Sequence, residues 1–209
     1  LERGFGHTLG NSLRRILLSS IPGCAIIDAK IDGILHEYTF KDGIQEDISD
    51  IILNLKGIRF KLESRNFVEL IVKKRGPCVL VAGDIILPHD VQIVNFDHII
   101  ANINSNVELT ITMNISKGKG YFPSYLRKNN NMGVGWIQLD ASFSPIKKVS
   151  YFVENARVEQ RTDLDKLIFE LETDGTIEAE EAIIYAANVL YDQLSVFVNL
   201  DGEDKVEEP

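Results

Sequence analysis

A chain of 209 residues with 44% hydrophobic and 25% charged residues has the composition of a globular protein that holds one large or two small cores. Its net charge of −9 argues against extended contact with phosphates, which needs clustered Lys and Arg to displace counterions. No run reaches the roughly 18 consecutive apolar residues of a membrane span, and the start of the sequence is charged rather than signal-like, so a cytoplasmic location is expected. Cys24 and Cys78 stand far apart without a Cys-x-x-Cys pair, which suits two reduced, buried thiols rather than a disulfide framework or a zinc knuckle.

Residues 5–20 read as an amphipathic helix. Leu9, Leu13, Ile16 and Leu17 form one apolar stripe, while Arg14, Arg15 and Leu18 project from other faces. Gly6 and Gly10 stand one turn apart, where the missing Cβ lets another backbone come close at a cost of about 1 kcal/mol each, and close packing of a second helix is expected there. The pattern by itself fits an ordinary core helix equally well. Ile21-Pro22-Gly23 ends it, because the residue before proline is pushed out of the helical region.

Residues 24–31 alternate weakly and predict a strand, Asp32-Gly33 a turn, and residues 34–40 a second strand closed by Lys41-Asp42-Gly43. The period then changes. Ile44, Ile48, Ile51, Ile52 and Leu55 recur at helical spacing behind Glu46, Asp47 and Asp50, predicting a helix over 44–55. Short β-branched segments at 58–62, 67–72, 78–82, 91–93 and 107–115 predict several antiparallel strands. The basic clusters Lys73-Lys74-Arg75, Lys117 with Lys119, and Arg127-Lys128 neighbour turn residues and are expected at solvated loop tips. Lys117 to Pro123 lacks the Gly-x-x-x-x-Gly-Lys-Ser/Thr spacing of a phosphate loop.

Residues 128–133 read as an exposed Asn-rich loop, and residues 136–143 resume a strand. Two further strands, 148–158 and 164–172, are joined by the polar turn 159–163. The last helix starts near residues 177–179, with Glu178, Glu180 and Glu181 in its first turn. Ile183, Ala186, Ala187, Leu190, Leu194 and Phe197 give it an apolar stripe with small residues where helices could cross. Residues 201–209 are too acidic and polar to pack and are expected to be a disordered tail or the start of a linker.

Groupings that carry catalysis are hard to find. His7, His36, His89 and His98 have no metal-site spacing, His36-Glu37 lacks a second His four residues on, and no nucleophile elbow is present. Glu46-Asp47 and Asp163 with Asp165 read most simply as solvated charges. No cofactor or metal is expected. A binding scaffold explains more of the sequence than a stand-alone enzyme with an unrecognised carboxylate or histidine site, which is the alternative.

Leu1-Glu2-Arg3-Gly4-Phe5-Gly6-His7-Thr8-Leu9-Gly10-Asn11-Ser12-Leu13-Arg14-Arg15-Ile16-Leu17-Leu18 is similar, nearly letter for letter, to the first helix of the amino-terminal domain of the α subunit of bacterial RNA polymerase. Gly33-Ile34-Leu35-His36-Glu37-Tyr38 resembles that family's Gly-Val-Leu-His-Glu-Tyr segment, and Glu46-Asp47 with Leu53-Asn54-Leu55-Lys56 resembles its second helix. Val158-Glu159-Gln160-Arg161-Thr162-Asp163-Leu164-Asp165-Lys166-Leu167 is similar to its most distinctive late motif.

The resemblance implies an α+β fold. Residues 1–22 and 150–200 would form a dimerisation subdomain with two helices and a small sheet, and 23–149 an inserted β-rich subdomain. It further implies a non-catalytic subunit that pairs, as a homodimer or a heterodimer with a second α subunit, and nucleates assembly of the catalytic β and β′ subunits. Matched positions assign Arg14, Arg15, Leu18, His36 and Glu37 to β, and Lys56 and Leu139 to β′. A dimer interface is expected from Phe5, Gly6, Leu9, Gly10, Leu13, Ile16 and Leu17 with Ile183, Ala186, Ala187, Leu190, Leu194 and Phe197. Little direct DNA binding is expected of this domain, since the family's DNA-binding module is a separate carboxy-terminal domain.

Overall fold

The computed structural model describes residues 1–127, 133–158 and 161–198, with the side chains of residues 158, 161 and 162 outside that description. The expected loop at 128–132, the start of the turn at 159–160 and the acidic tail 201–209 lie outside the described residues. In chain order the elements are helix α1 (Phe5–Ser19), strand β1 (Pro22–Ile31), helix α2 (Ile48–Lys56) and strands β2 (Phe60–Leu62), β3 (Phe67–Arg75), β4 (Cys78–Val81), β5 (Val91–Ile93) and β6 (Ile99–Ile103). Strands β7 (Glu108–Lys119), β8 (Tyr121–Phe122), β9 (Trp136–Gln138), β10 (Ala141–Ser142), β11 (Ile146–Val158) and β12 (Arg161–Thr173) follow, and helix α3 (Ala179–Val198) ends the series. This α+β chain forms two compact units. Of the described residues, one comprises those of Leu1–Ile21, Ile146–Thr173 and 177–198; the other comprises those of Pro22–Pro145 with Asp174–Thr176.

In the first unit β11 and β12 make a two-stranded antiparallel ribbon in which Tyr151 faces Phe169 and Val153 faces Leu167. Helix α1 lies on this ribbon. A Cβ at Gly6 would stand 2.7 Å from Val153 Cγ1, and one at Gly10 2.6 Å from Tyr151 Cδ2, so the two glycines admit the ribbon and not, as the spacing suggested, a second helix. The core of the unit gathers Leu17, Ile21, Ile146, Val149, Ala182 and Ala186, with Leu13, Ile16, Phe169, Leu171, Ile177 and Tyr185 packed against it. Helix α3 therefore turns Ala182 and Ala186 inward, and Ala187 of the expected stripe is exposed. Ile146, Lys148 and Val149 already pair with Thr173, Glu172 and Leu171, so the chain re-enters this unit at Ile146, four residues before the expected boundary.

Asp165 departs furthest from its sequence reading. Helix α1 starts on Gly4, which has φ 90° and no side chain with which to cap the helix. Asp165 of β12 takes that place: its Oδ2 accepts from Gly4 N at 2.8 Å and Gly6 N at 3.0 Å, and the residue is buried rather than solvated.

The second unit is built on an antiparallel sheet with strand order β3-β7-β1-β9. Alternation sends Val68, Leu70 and Val72 of β3 and Leu109, Ile111, Met113 and Ile115 of β7 to one buried face, where Ile48, Ile51, Ile52 and Leu55 of α2 join the same core. The register of β1 against β7 shifts between Ile26 and Asp28. This bulge keeps Ile26, Ala29 and Ile31 in the core and sets Asp28 opposite Asn114, on the sheet's other face.

Several expectations change here. Residues 34–40 form no strand, because both edges of β1 are occupied by β7 and β9; the segment is held by Thr39 Oγ1 donating to His36 O and Ser49 Oγ donating to Glu37 O, each at 3.0 Å. Helix α2 begins at Ile48 rather than Ile44, since Ile44 bridges to Ile103 and the Glu46 carboxylate accepts from Asn102 N at 2.7 Å and Asn102 Nδ2 at 2.6 Å instead of being solvated. Strand β6 has no counterpart in the sequence reading, and residues 136–143 split into β9 and β10.

The basic clusters are not loop tips either. Lys73 to Arg75 end β3, with Lys73 paired to Glu108 at 2.9 Å, Lys74 to Asp84, and Arg75 Nε donating to Asn106 Oδ1 at 2.7 Å. Lys117 and Lys119 lie within β7. Both cysteines are free and half-buried, and burial pushes the Cys24 thiol upward. Among the described residues no helix is long and apolar enough to cross a membrane.

Candidate partner-docking surfaces

On the first unit α1 turns Arg14, Arg15 and Leu18 to solvent, and Leu18 is 41% exposed despite being apolar. Arg15 lines a shallow depression of about 310 Å³ with Asn11, Ser12, Ile16 and Ser19. Ser12 and Ser19 donate back to the carbonyls of Thr8 and Arg15, both at 2.8 Å, so this face is polar yet internally satisfied around the guanidinium.

The residues expected at a dimer interface divide by burial. Gly6, Gly10, Leu17 and Ala186 are buried within the chain, whereas Leu9, Leu13, Ile16, Ile183 and Leu190 are half-buried. Phe5, Ala187, Leu194 and Phe197 are exposed. On α3, Tyr191, Leu194 and Val198 share one face with Phe197, itself 69% exposed, and among the described residues nothing covers this apolar run.

On the second unit a groove of about 370 Å³ brings together Glu37, Lys56 and Leu139. One side comes from the 34–40 segment and α2 (Glu37, Tyr38, Ser49, Ile52, Leu53 and Lys56), the other from Ser124 and residues 137–140. His36 is exposed but does not line this groove. Leu139, read as a contact residue, is only 4% exposed; it belongs to the core beneath the groove and supports it more than it presents surface. Tyr38 and Leu53 are the groove's exposed apolar side chains.

Charge in the groove is fixed by hydrogen bonds. The Ser124 backbone N–H, at 2.7 Å from Asp140 Oδ1, and then the Ser124 and Tyr121 hydroxyls hold the Asp140 carboxyl below its ordinary range, with Lys56 acting in the same direction. The bond to Asp140 pushes the Tyr121 phenol up in turn. The groove thus lines up an acceptor, Asp140, and a cation, Lys56, beside the exposed Tyr38 and Leu53. Among the described residues no group of three or more His, Cys, Asp or Glu side chains is placed to hold a metal ion.

Sequence reasoning gave no contact role to Leu53, Ser124 or Asp140. Leu53 carried a signal, being apolar yet off the α2 stripe; Asp140 and Ser124 carried none, since only the pairing of β8 with β10 brings them together.

The model of the RNA polymerase Rpb3/RpoA insert domain matches residues 29–144, more than half of the 209 residues, and its limits fall inside the second unit. That match, with an insert-bearing α+β architecture whose chain leaves one unit at Ile21 and returns to it at Ile146, establishes that the chain belongs to the RNA polymerase α-type subunit family, as its amino-terminal domain, among the polymerase's non-catalytic subunits.

Proposed function

We propose that this chain is the assembly scaffold of a bacterial-type RNA polymerase, working in the cytoplasm. It pairs with a second α subunit, identical or diverged, and the pair nucleates assembly of β and β′. The unit containing α1 and α3 is the dimerisation subdomain and the sheet-bearing unit is the insert. The observation that carries the reading is the apolar run Tyr191, Leu194, Phe197 and Val198 on α3, exposed among the described residues, in a chain of this family. An apolar face of that kind is ordinarily covered by a partner.

The exposed Arg14, Arg15 and Leu18 are assigned to β. An Arg can grip a carboxylate through two parallel hydrogen bonds, and an exposed Leu beside it adds apolar area, the pairing found at interface hot spots. His36 and Glu37 go with them, and Lys56 and Leu139 are assigned to β′; the two assignments meet at Glu37, which lines the groove with Lys56.

Mixing the purified chain with β and β′ and separating the mixture by size tests the reading. The expected result is a large complex containing all three, reduced at least tenfold for Arg15→Ala with Leu18→Ala while the α dimer persists. Failure of the parent chain to co-elute with either large subunit overturns it.

A further inference from the structure

Arg127 stood in the sequence as half of a solvated basic pair, yet its side chain is 10% exposed and its partner Asp28 is 3% exposed. Its guanidinium sits on the sheet face opposite the hydrophobic core and holds three groups. Nη2 donates to Ile27 O at 2.9 Å and to Leu139 O, and Nη1 donates to Asp28 Oδ1 at 3.4 Å. Ile27 is the bulge residue of β1, and its carbonyl also accepts from Leu139 N at 2.8 Å. One cation therefore joins the bulge to the strand end that forms the groove wall.

The arm that delivers Arg127 is fastened at two other places. Phe122 and Tyr121 pair with Ala141 and Ser142, and Ser124 N donates to Asp140 Oδ1 at 2.7 Å. Ser124, Gln138, Leu139 and Asp140, all lining the groove, lie on the arm or on the segment it clasps. Among the described residues no side chain of the arm belongs to the hydrophobic core, and Tyr121, Phe122, Tyr125 and Leu126 are exposed.

We infer that Arg127 is the positioning residue of this groove: it sets the register of the Tyr121 to Arg127 arm against β1, and so the placement of Ser124 and Asp140 opposite Lys56. The inference rests on the reading that the groove takes a segment of β′. A planar guanidinium reaches two carbonyls and a carboxylate from two nitrogens held in a fixed fork, whereas an ammonium has its donors on one atom and an apolar side chain has none.

Losing Arg127 alone strands a buried carboxylate, so the test variant is Arg127→Met with Asp28→Leu, because a buried pair exchanged for apolar residues of similar volume keeps the fold. Three measurements are made on the full chain: amide exchange, emission of the sole tryptophan, Trp136 of β9, and incorporation of β′ in a mixture with β. Leu53→Asp, which fills the groove with charge, serves as the control for the groove itself.

The expected result is at least tenfold faster exchange confined to residues 121–127 and 136–142, a shifted Trp136 emission, an unchanged melting temperature and at least tenfold less β′ incorporated. Unchanged exchange in the arm overturns the positioning role. So does full β′ incorporation by the double variant when Leu53→Asp abolishes it. Full incorporation by Leu53→Asp instead overturns the groove's assignment to β′, a separate failure recognised by that control alone.

Discussion

Replacing Asp165 tests whether a residue distant in sequence caps α1. Its Oδ2 accepts from Gly4 N and Gly6 N, and Asp165 itself is only 8% exposed. Removing a capping side chain costs about 1 kcal/mol and up to about 2, and a carboxylate at the positive end of a helix dipole adds roughly 0.3–1 kcal/mol. Asp165→Ala is therefore expected to lower unfolding stability by about 2–3 kcal/mol. Asp165→Asn keeps an acceptor but loses the charge, for a loss of about 1 kcal/mol. Urea denaturation followed by circular dichroism at constant pH measures both, with an unchanged m value as the check that the same surface is being exposed. Both variants lying within about 0.5 kcal/mol of the parent, the range of an ordinary surface substitution, would refute the capping argument.

Leu194→Asp with Phe197→Asp places two charges on the exposed face of α3, and light scattering is expected to report half the parent mass with the circular dichroism spectrum intact; a parent that is already monomeric sinks the dimer reading. Leu13→Asp with Leu190→Asp strikes half-buried positions instead and is expected to lower the melting temperature as well as the mass. Burial acts to raise the Asp84 carboxyl, but its bonds to the Lys74 ammonium and the Val81 N–H outweigh that and hold it below the ordinary range. A lowered folded pKa contributes stability that is present above the unfolded value of about 3.9 and lost as pH falls through the folded one, so the gap between parent and Asp84→Asn should close in acid; a gap that widens there contradicts the sign. Fluorescence anisotropy with duplex DNA at physiological salt is expected to show only weak binding, given the net charge of −9, and a sub-micromolar, steeply salt-dependent affinity would be the contrary result.

Local patterns carried much of the architecture. The spacing of Leu9, Leu13, Ile16 and Leu17 predicted α1, and Ile48, Ile51, Ile52 and Leu55 marked the buried face of α2, because a helix facing one core repeats its apolar residues at the helical period. Alternation in residues 67–72 and 107–115 likewise placed β3 and β7, though both run further than their apolar patterns because backbone pairing continues beyond the core. The exposure of Arg14, Arg15 and Leu18 was legible for the same reason, as residues off the stripe. What the sequence could not determine were charges whose partners lie far along the chain. Asp165, Asp28 and Arg127 are the same residue types whether solvated or buried, and only the folded chain supplies the helix terminus, the bulge carbonyl and the opposing guanidinium that make their burial affordable. The segment 34–40 makes the same point from the side of the backbone. Its alternation suits a strand, but a strand needs a free edge beside it, and β7 and β9 leave β1 none.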